Sequence, residues 1–147
     1  MHPEELFSAP SFRDRHYVLK SSLNKSSEEL WVGPARSRID NFSATYGSAF
    51  ALAIYHAGTR DHFRYGYVIP FGLIRDCFRV PFNRPLGKGN CWNANINRGV
   101  FHVTIEKRVD VSACRGDRDD VRKLLLAQNE GEIRELLARL EASASGH

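Results

Sequence analysis

The sequence predicts an α+β protein: a mixed or antiparallel curved β-sheet, a short helix after its central hairpin, and amphipathic helices at the C-terminal end. Three observations carry this. Residues 50–80 join a short apolar run to an alternating run across a turn, residues 92–105 form a second alternating pair, and residues 121–140 place apolar side chains at helical spacing. The 147 residues match the size of one domain, long enough to bury a continuous core, so a single domain over 1–147 is expected.

In chain order, residues 1–10 read as a loose lead-in. Next, either Ser11 caps a short helix through Asp14, or Tyr17, Val18 and Leu19 open a first strand. Ser26-Ser27-Glu28-Glu29 has the form of a capping box, while Leu30-Trp31-Val32 before Gly33-Pro34 suits a strand equally well. Arg36 and Arg38 stand two apart in a loop or strand, and extended chain would turn both the same way, a geometry able to straddle phosphates. The Asn-, Ser- and Thr-bearing residues 40–47 read as a connection, with Asp40 alternatively capping a turn of helix that leads to Tyr46.

Residues 50–56 are apolar and short enough for a buried strand, and Gly58-Thr59-Arg60-Asp61 supplies the turn. Phe63, Tyr65, Tyr67 and Ile69 then alternate with Arg64, Gly66 and Val68 until Pro70 ends the ladder. Leu73, Ile74, Cys77 and Phe78 follow at helical spacing, and Pro81 stops them. The aromatic row fits a core, because large rings bury much apolar area. The interleaved Arg64 and the flanking His56 and His62 keep a binding surface open as the alternative.

Residues 81–90 hold two prolines and two glycines with Arg84 and Lys88, a loop whose backbone can approach a partner closely and whose cations can donate to phosphate. Gly87-Lys88-Gly89 lacks the rest of a Walker A loop. Trp92, Ala94 and Ile96 alternate with Asn93 and Asn95, and Phe101, Val103 and Ile105 with His102 and Thr104, around a three-residue connection, Asn97-Arg98-Gly99. The apolar face should meet the core and leave Asn93, Asn95, His102 and Thr104 outside. Residues 109–114 suit one more short strand, and Asp117 is placed to cap the next helix. Val121, Leu124 and Leu125 mark that helix. Ile133, Leu136, Leu137 and Leu140 mark a second, which either covers the sheet or meets a partner, a homodimer being one form of that contact. Residues 142–147 should fray.

Lys and Arg number 21 against 17 Asp and Glu, a net charge of +4, and the acids are unevenly spread. Between Arg79 and Arg108 the cations are Arg79, Arg84, Lys88, Arg98, Lys107 and Arg108, with Glu106 the only acid. Residues 13–38 are similarly rich in Arg and Lys. Such asymmetry is the electrostatic footprint of a phosphate-binding surface. No apolar run approaches a membrane span, and the N-terminus has acids where a signal peptide needs a basic start and an apolar core. No membrane contact and a cytoplasmic location are therefore expected. Cys77, Cys91 and Cys114 are odd in number, widely spaced and without C-x-x-C pairing, which fits reduced structural thiols better than disulfides or zinc. No metal or cofactor is expected. Catalysis has few candidates, because Asp40, Asp61, Asp76 and Glu106 are the only acids between Asp40 and Lys107.

Ala53-Ile54-Tyr55-His56, then Tyr65-Gly66-Tyr67-Val68-Ile69-Pro70-Phe71, then Leu73-Ile74-Arg75-Asp76-Cys77-Phe78 resembles, in pattern more than in identities, a strand pair of restriction-endonuclease-type proteins and their accessory DNA-recognition domains. The likeness covers residues 53–78 of the chain. It implies a mixed sheet that handles duplex DNA. The nucleases of that kind need an acid followed by an acid-x-Lys strand. This chain has Asp40 with no such strand before the hairpin, and Glu106-Lys107 lacks the intervening residue.

The expected function is accordingly a DNA-binding recognition module that senses a modified base in duplex DNA. Arg36, Arg38, Arg84, Lys88, Arg98 and Lys107 would contact the backbone, and Trp31, Tyr65, Tyr67, Trp92 and Asn93 would form the base pocket. The alternatives are a metal-dependent nuclease built on Asp40 and a protein-interaction adaptor using the apolar stripe of residues 133–140.

Overall fold

The structure, a computed structural model, describes residues 9–21, 29–56, 66–78, 90–103 and 107–145. Near the N-terminus a helix and a strand both form, in succession, with Ala9 and not Ser11 at the N-cap of the helix. Helix α1 (Pro10–Arg15) starts on a proline, which has no N–H to leave unpaired, and strand β1 (Tyr17–Ser21) follows after His16. Of the two readings for residues 26–32 the strand forms, as β2 (Glu29–Val32).

Helix α2 (Arg36–Tyr46) replaces the loop or strand expected at Arg36 and Arg38 and extends the alternative reading of a helical turn leading to Tyr46, with Asp40 inside it rather than at its cap. Ile39, Phe42 and Tyr46 supply its apolar stripe at i, i+3 and i+7, with Ile39 and Phe42 buried. The start is hard to read because its N-cap is Ala35, which has no side-chain oxygen. Gly47, at φ 65°, ends the helix. Two consequences correct the sequence reading. Asp40 lies inside the helix, where it pairs with Arg36 at 3.8 Å, and Arg36 and Arg38 lie about 200° apart around the helix axis instead of side by side.

The two strands of the organising hairpin pair as expected, while the expected turn at 58–61 and the strand start at 63–65 lie outside the described residues. Strand β3 (Ala51–His56) pairs antiparallel with β4 (Tyr67–Pro70), and the short helix α3 (Phe71–Ile74) continues as a 3₁₀ turn (Arg75–Phe78). Strand β4 is buried at every position instead of alternating. β3 also pairs in parallel with β1, giving a mixed sheet in the order β1-β3-β4. Residues Ala51, Leu52, Ala53 and Ile54 are fully buried, which is why that run lacks polar alternation.

A second, antiparallel sheet has the order β2-β5-β6-β7, with β5 (Ala94–Asn97), β6 (Val100–His102) and β7 (Arg108–Asp110). Asn97 pairs with Val100, so the turn contains only Arg98 and Gly99, not three residues. Both have positive φ, 51° and 79°, as a two-residue turn matched to strand twist requires. A 3₁₀ turn (Ser112–Cys114) takes the place of the end of the strand expected at 109–114.

The two sheets share the main core. Tyr17, Leu52, Ile54, Tyr67 and Ile69 of the first meet Leu30, Val32, Ala94, Ile96 and Phe101 of the second. An aromatic series runs through it, with ring centroids 5.7 Å apart for Tyr17–Phe42, 5.2 Å for Phe42–Phe50, 4.6 Å for Phe50–Phe71 and 5.8 Å for Phe71–Phe78.

The other face of the first sheet carries the small residues Ala51 and Ala53 with Val68, and two helices pack on it. These are α4 (Asp119–Leu126) and α5 (Glu130–Ser145). Val121, Leu124, Leu125, Ile133, Leu136, Leu137 and Leu140 are all buried there, so the C-terminal stripe covers its own sheet. Arg118, not Asp117, is the N-cap residue of α4. Asn129 separates the helices and caps the second, its Oδ1 accepting the Glu132 N–H at 3.2 Å. Helical backbone continues through Ser145, so residues 142–145 of the expected frayed tail are ordered.

Candidate functional site

The outer face of the second sheet is where exposed aromatic and polar side chains converge. In β2 the alternation turns Leu30 and Val32 inward and Glu29 and Trp31 outward. Directly paired residues share a face, and the register pairs Trp31 with Asn95, Asn95 with His102, and His102 with Arg108. One row therefore crosses all four strands: indole, amide, imidazole, guanidinium. At about 4.8 Å between neighbouring strands it spans about 14 Å.

Hydrogen bonds fix the row at its first two positions. The Trp31 indole Nε1 donates to Glu29 Oε1 at 2.8 Å, and the Asn95 amide donates to the same oxygen and to the Leu30 carbonyl, both at 3.3 Å. Glu29 thereby holds indole and amide together. Trp31 nevertheless remains 39% exposed, a large apolar side chain left open where most others are covered. Asn95 is buried, at 3% exposure, which corrects the expectation that it stands out in solvent. Its two hydrogen bonds make that burial affordable. His102 is half-buried, with an Nδ1 that lacks a hydrogen-bond partner among the described residues. Arg108 is exposed, without a carboxylate partner among the described residues.

The adjacent row reads Glu29, Asn97, Val100, Asp110, with a carboxylate at each end. Asp110 turns back on its own chain, accepting from the Ser112 N–H at 2.9 Å and hydroxyl at 2.6 Å. An anion approaching the face therefore meets Arg108 more favourably than the second row.

The expected site residues divide among several places. Trp31 lies on the outer face, with exposed Asn93 just before β5, Arg98 at the turn and Lys107 just before β7. Arg36 and Arg38 are exposed on α2. Trp92 is half-buried against the main core, edge-on to Phe78 at 5.6 Å, with an indole nitrogen that has no partner among the described residues. Tyr67 is a core residue at 9% exposure, so its ring fills the interior between the sheets and offers no open stacking surface. Tyr65, Arg84 and Lys88 lie outside the described residues. Arg108 and Glu29 were missed, because their place beside Trp31 depends on a register between strands far apart in sequence.

Other reactive groups are secluded. Cys77 and Cys114 are buried, and burial pushes their thiols up to about 11 and about 12, away from thiolate reactivity. Asp40, the acid on which a nuclease would turn, is exposed on α2 beside Arg36. Among the described residues no three His, Cys, Asp or Glu side chains gather closely enough to hold a metal ion, and no helix is long and apolar enough to cross a membrane.

No protein-family model, curated protein or solved structure matches the chain. The likeness of residues 53–78 to DNA-recognition domains thus rests on the strand, strand, helix pattern.

Proposed function

We propose that the protein is a nucleic-acid-binding module that holds an unstacked base on the outer face of its second sheet. The row Trp31, Asn95, His102, Arg108 carries this reading. Every base has a π-face, so an exposed indole provides stacking without demanding a particular sequence. Glu29 and the buried Asn95 amide hold the indole in place, and Arg108 at the far end of the row offers donors to phosphate. The basic balance of the chain supports the same partner.

An unstacked base can come from a single strand or from a nucleotide turned out of a duplex, and the latter suits recognition of a modified base in DNA. The module acts by binding, with its buried thiols structural, and its location is the cytoplasm.

Fluorescence polarisation with single-stranded DNA, plain duplex and duplex carrying a modified base, each at two salt concentrations, tests the proposal. Salt-sensitive binding to one of them is expected, since phosphate contacts release counterions. Failure of all three to bind, or binding indifferent to salt, would overturn it.

A further inference from the structure

We infer that a shallow cleft between α1 and α2 is a phosphate-binding site formed by Arg13 and Arg38. The cleft has a volume of about 270 Å³, and Arg13, Asp14, Arg38, Asn41 and Thr45 form its polar lining. Arg38, Asn41 and Thr45 follow one another at i, i+3 and i+7 and so share one face of α2. Arg13 reaches the same cleft from α1.

The two arginines differ from five others in their charge partners. Arg15, Arg36, Arg115, Arg134 and Arg139 each have a carboxylate oxygen within 3.8 Å. Neither Arg13 nor Arg38 has a carboxylate partner among the described residues, although Asp14 lines the cleft with them. Two guanidinium groups with one carboxylate, Asp14, leave the concavity net positive, and an anion between the guanidinium groups lowers their mutual repulsion.

Arg38 is also positioned in advance. Its guanidinium carbon lies 5.1 Å from the ring centroid of Tyr17 and 5.8 Å from that of Phe42, and those rings stack on each other at 5.7 Å. Attraction to the ring faces holds the guanidinium plane while leaving N–H groups at its edge to donate to phosphate oxygens. The Thr45 hydroxyl already donates to the Asn41 carbonyl at 3.1 Å, so on α2 the Asn41 amide is the remaining neutral donor beside Arg38.

At about 270 Å³ the cleft is several times the volume of a phosphate group and admits one with room to spare. A larger one of about 680 Å³ shares Asp14 and Tyr46 with it and continues past Phe12 and Leu126, leaving room for whatever carries the phosphate. The ligand class is a phosphate ester. The inference rests on the proposed function only for its source, which is the end of a nucleic-acid strand or a phosphodiester within it.

The test combines two measurements on the full chain. Arginine Nε–H resonances are followed during titration with inorganic phosphate, and affinities are measured for oligonucleotides ending in phosphate or in hydroxyl. Wild type, Arg13→Gln and Arg38→Gln are compared, all three being checked for an unchanged circular dichroism spectrum. Phosphate should shift the Arg13 and Arg38 resonances, and each substitution should weaken oligonucleotide binding. If the phosphate is terminal, the advantage of phosphate-ended over hydroxyl-ended strands, roughly tenfold, disappears in the variants. If it is internal, both strands bind alike and each variant lowers the salt slope by about one. Unmoved resonances together with variants that bind as tightly as wild type would overturn the site. Shifted resonances in a protein that binds no oligonucleotide would retain the phosphate site and overturn the nucleic-acid reading instead.

Discussion

Arg15 of α1 donates from Nε and Nη2 to the two carboxylate oxygens of Glu130, at 2.9 and 2.6 Å, joining the first described helix to the start of α5. The same guanidinium lies 3.9 Å over the ring of Tyr46 at the end of α2. Three helices therefore meet at one charge. Its side chain is 10% exposed and Nη1 has no partner among the described residues, so it depends heavily on Glu130.

Replacing Glu130 by Gln should destabilise the fold by about 1–3 kcal/mol, because a buried guanidinium loses its compensating charge. The carboxylate is half exposed, which places the expected cost toward the lower end of that range. Urea denaturation measures it. A change of only a few tenths would contradict the pairing's importance.

His16 sets an acid limit. Its Nδ1 accepts the buried Ala51 N–H at 3.0 Å, and burial, reinforced by the charge of Arg15 and opposed by Glu130, lowers its pKa from 6.5 to about 3. The unfolded state therefore takes up a proton first. Stability from this residue is complete above pH 6.5 and is lost as pH falls from there toward 3. Glu130, held below its usual 4.5 mainly by the hydrogen bond from Arg15, adds to the loss at lower pH. Urea midpoints should be flat above pH 7 and decline below 6.5. His16→Gln, whose side-chain oxygen can still accept, should flatten the slope between pH 6.5 and 5, and an unchanged slope would remove His16 as the cause.

The α5 stripe is an internal surface. Leu140→Ala should cost about 2–5 kcal/mol by leaving a cavity. Ala53→Leu should cost about 1–3 kcal/mol by overfilling the contact between β3 and the helices. Deleting residues 130–147 should abolish cooperative unfolding. A truncated chain that melts cooperatively would show that the helix is an accessory.

Gly99 has φ 79°, and a Cβ there would lie 3.2 Å from the Ser112 Cβ. Gly99→Ala should destabilise the turn by about 1–2 kcal/mol. A neutral change in thermal melting would mean that the backbone relaxes.

The elements that could be read from the chain are those whose pattern is local. Residues 50–56 are continuously apolar because β3 is covered on both faces, and the stripes of α4 and α5 repeat at the helical period. Helix α2 was hidden by Asn41, Ser43 and Thr45, which resemble loop chemistry, and by a cap without a side-chain acceptor. The candidate site was only partly legible. Trp31 and Asn93 could be singled out as types, but the partnership of Trp31 with Asn95 depends on β2 pairing with β5, far away in sequence. Arg13 and Arg38 line one cleft for the same reason, through the placement of two helices rather than through any spacing.

Oligonucleotide binding by Trp31→Ala tests the account most directly. Trp31 is partly exposed, so the variant should melt within a few degrees of wild type, while its affinity for the best-bound strand falls by about 1–3 kcal/mol, the cost of one lost base stack. An affinity equal to that of wild type would contradict the account, because the indole would then face solvent with nothing to hold.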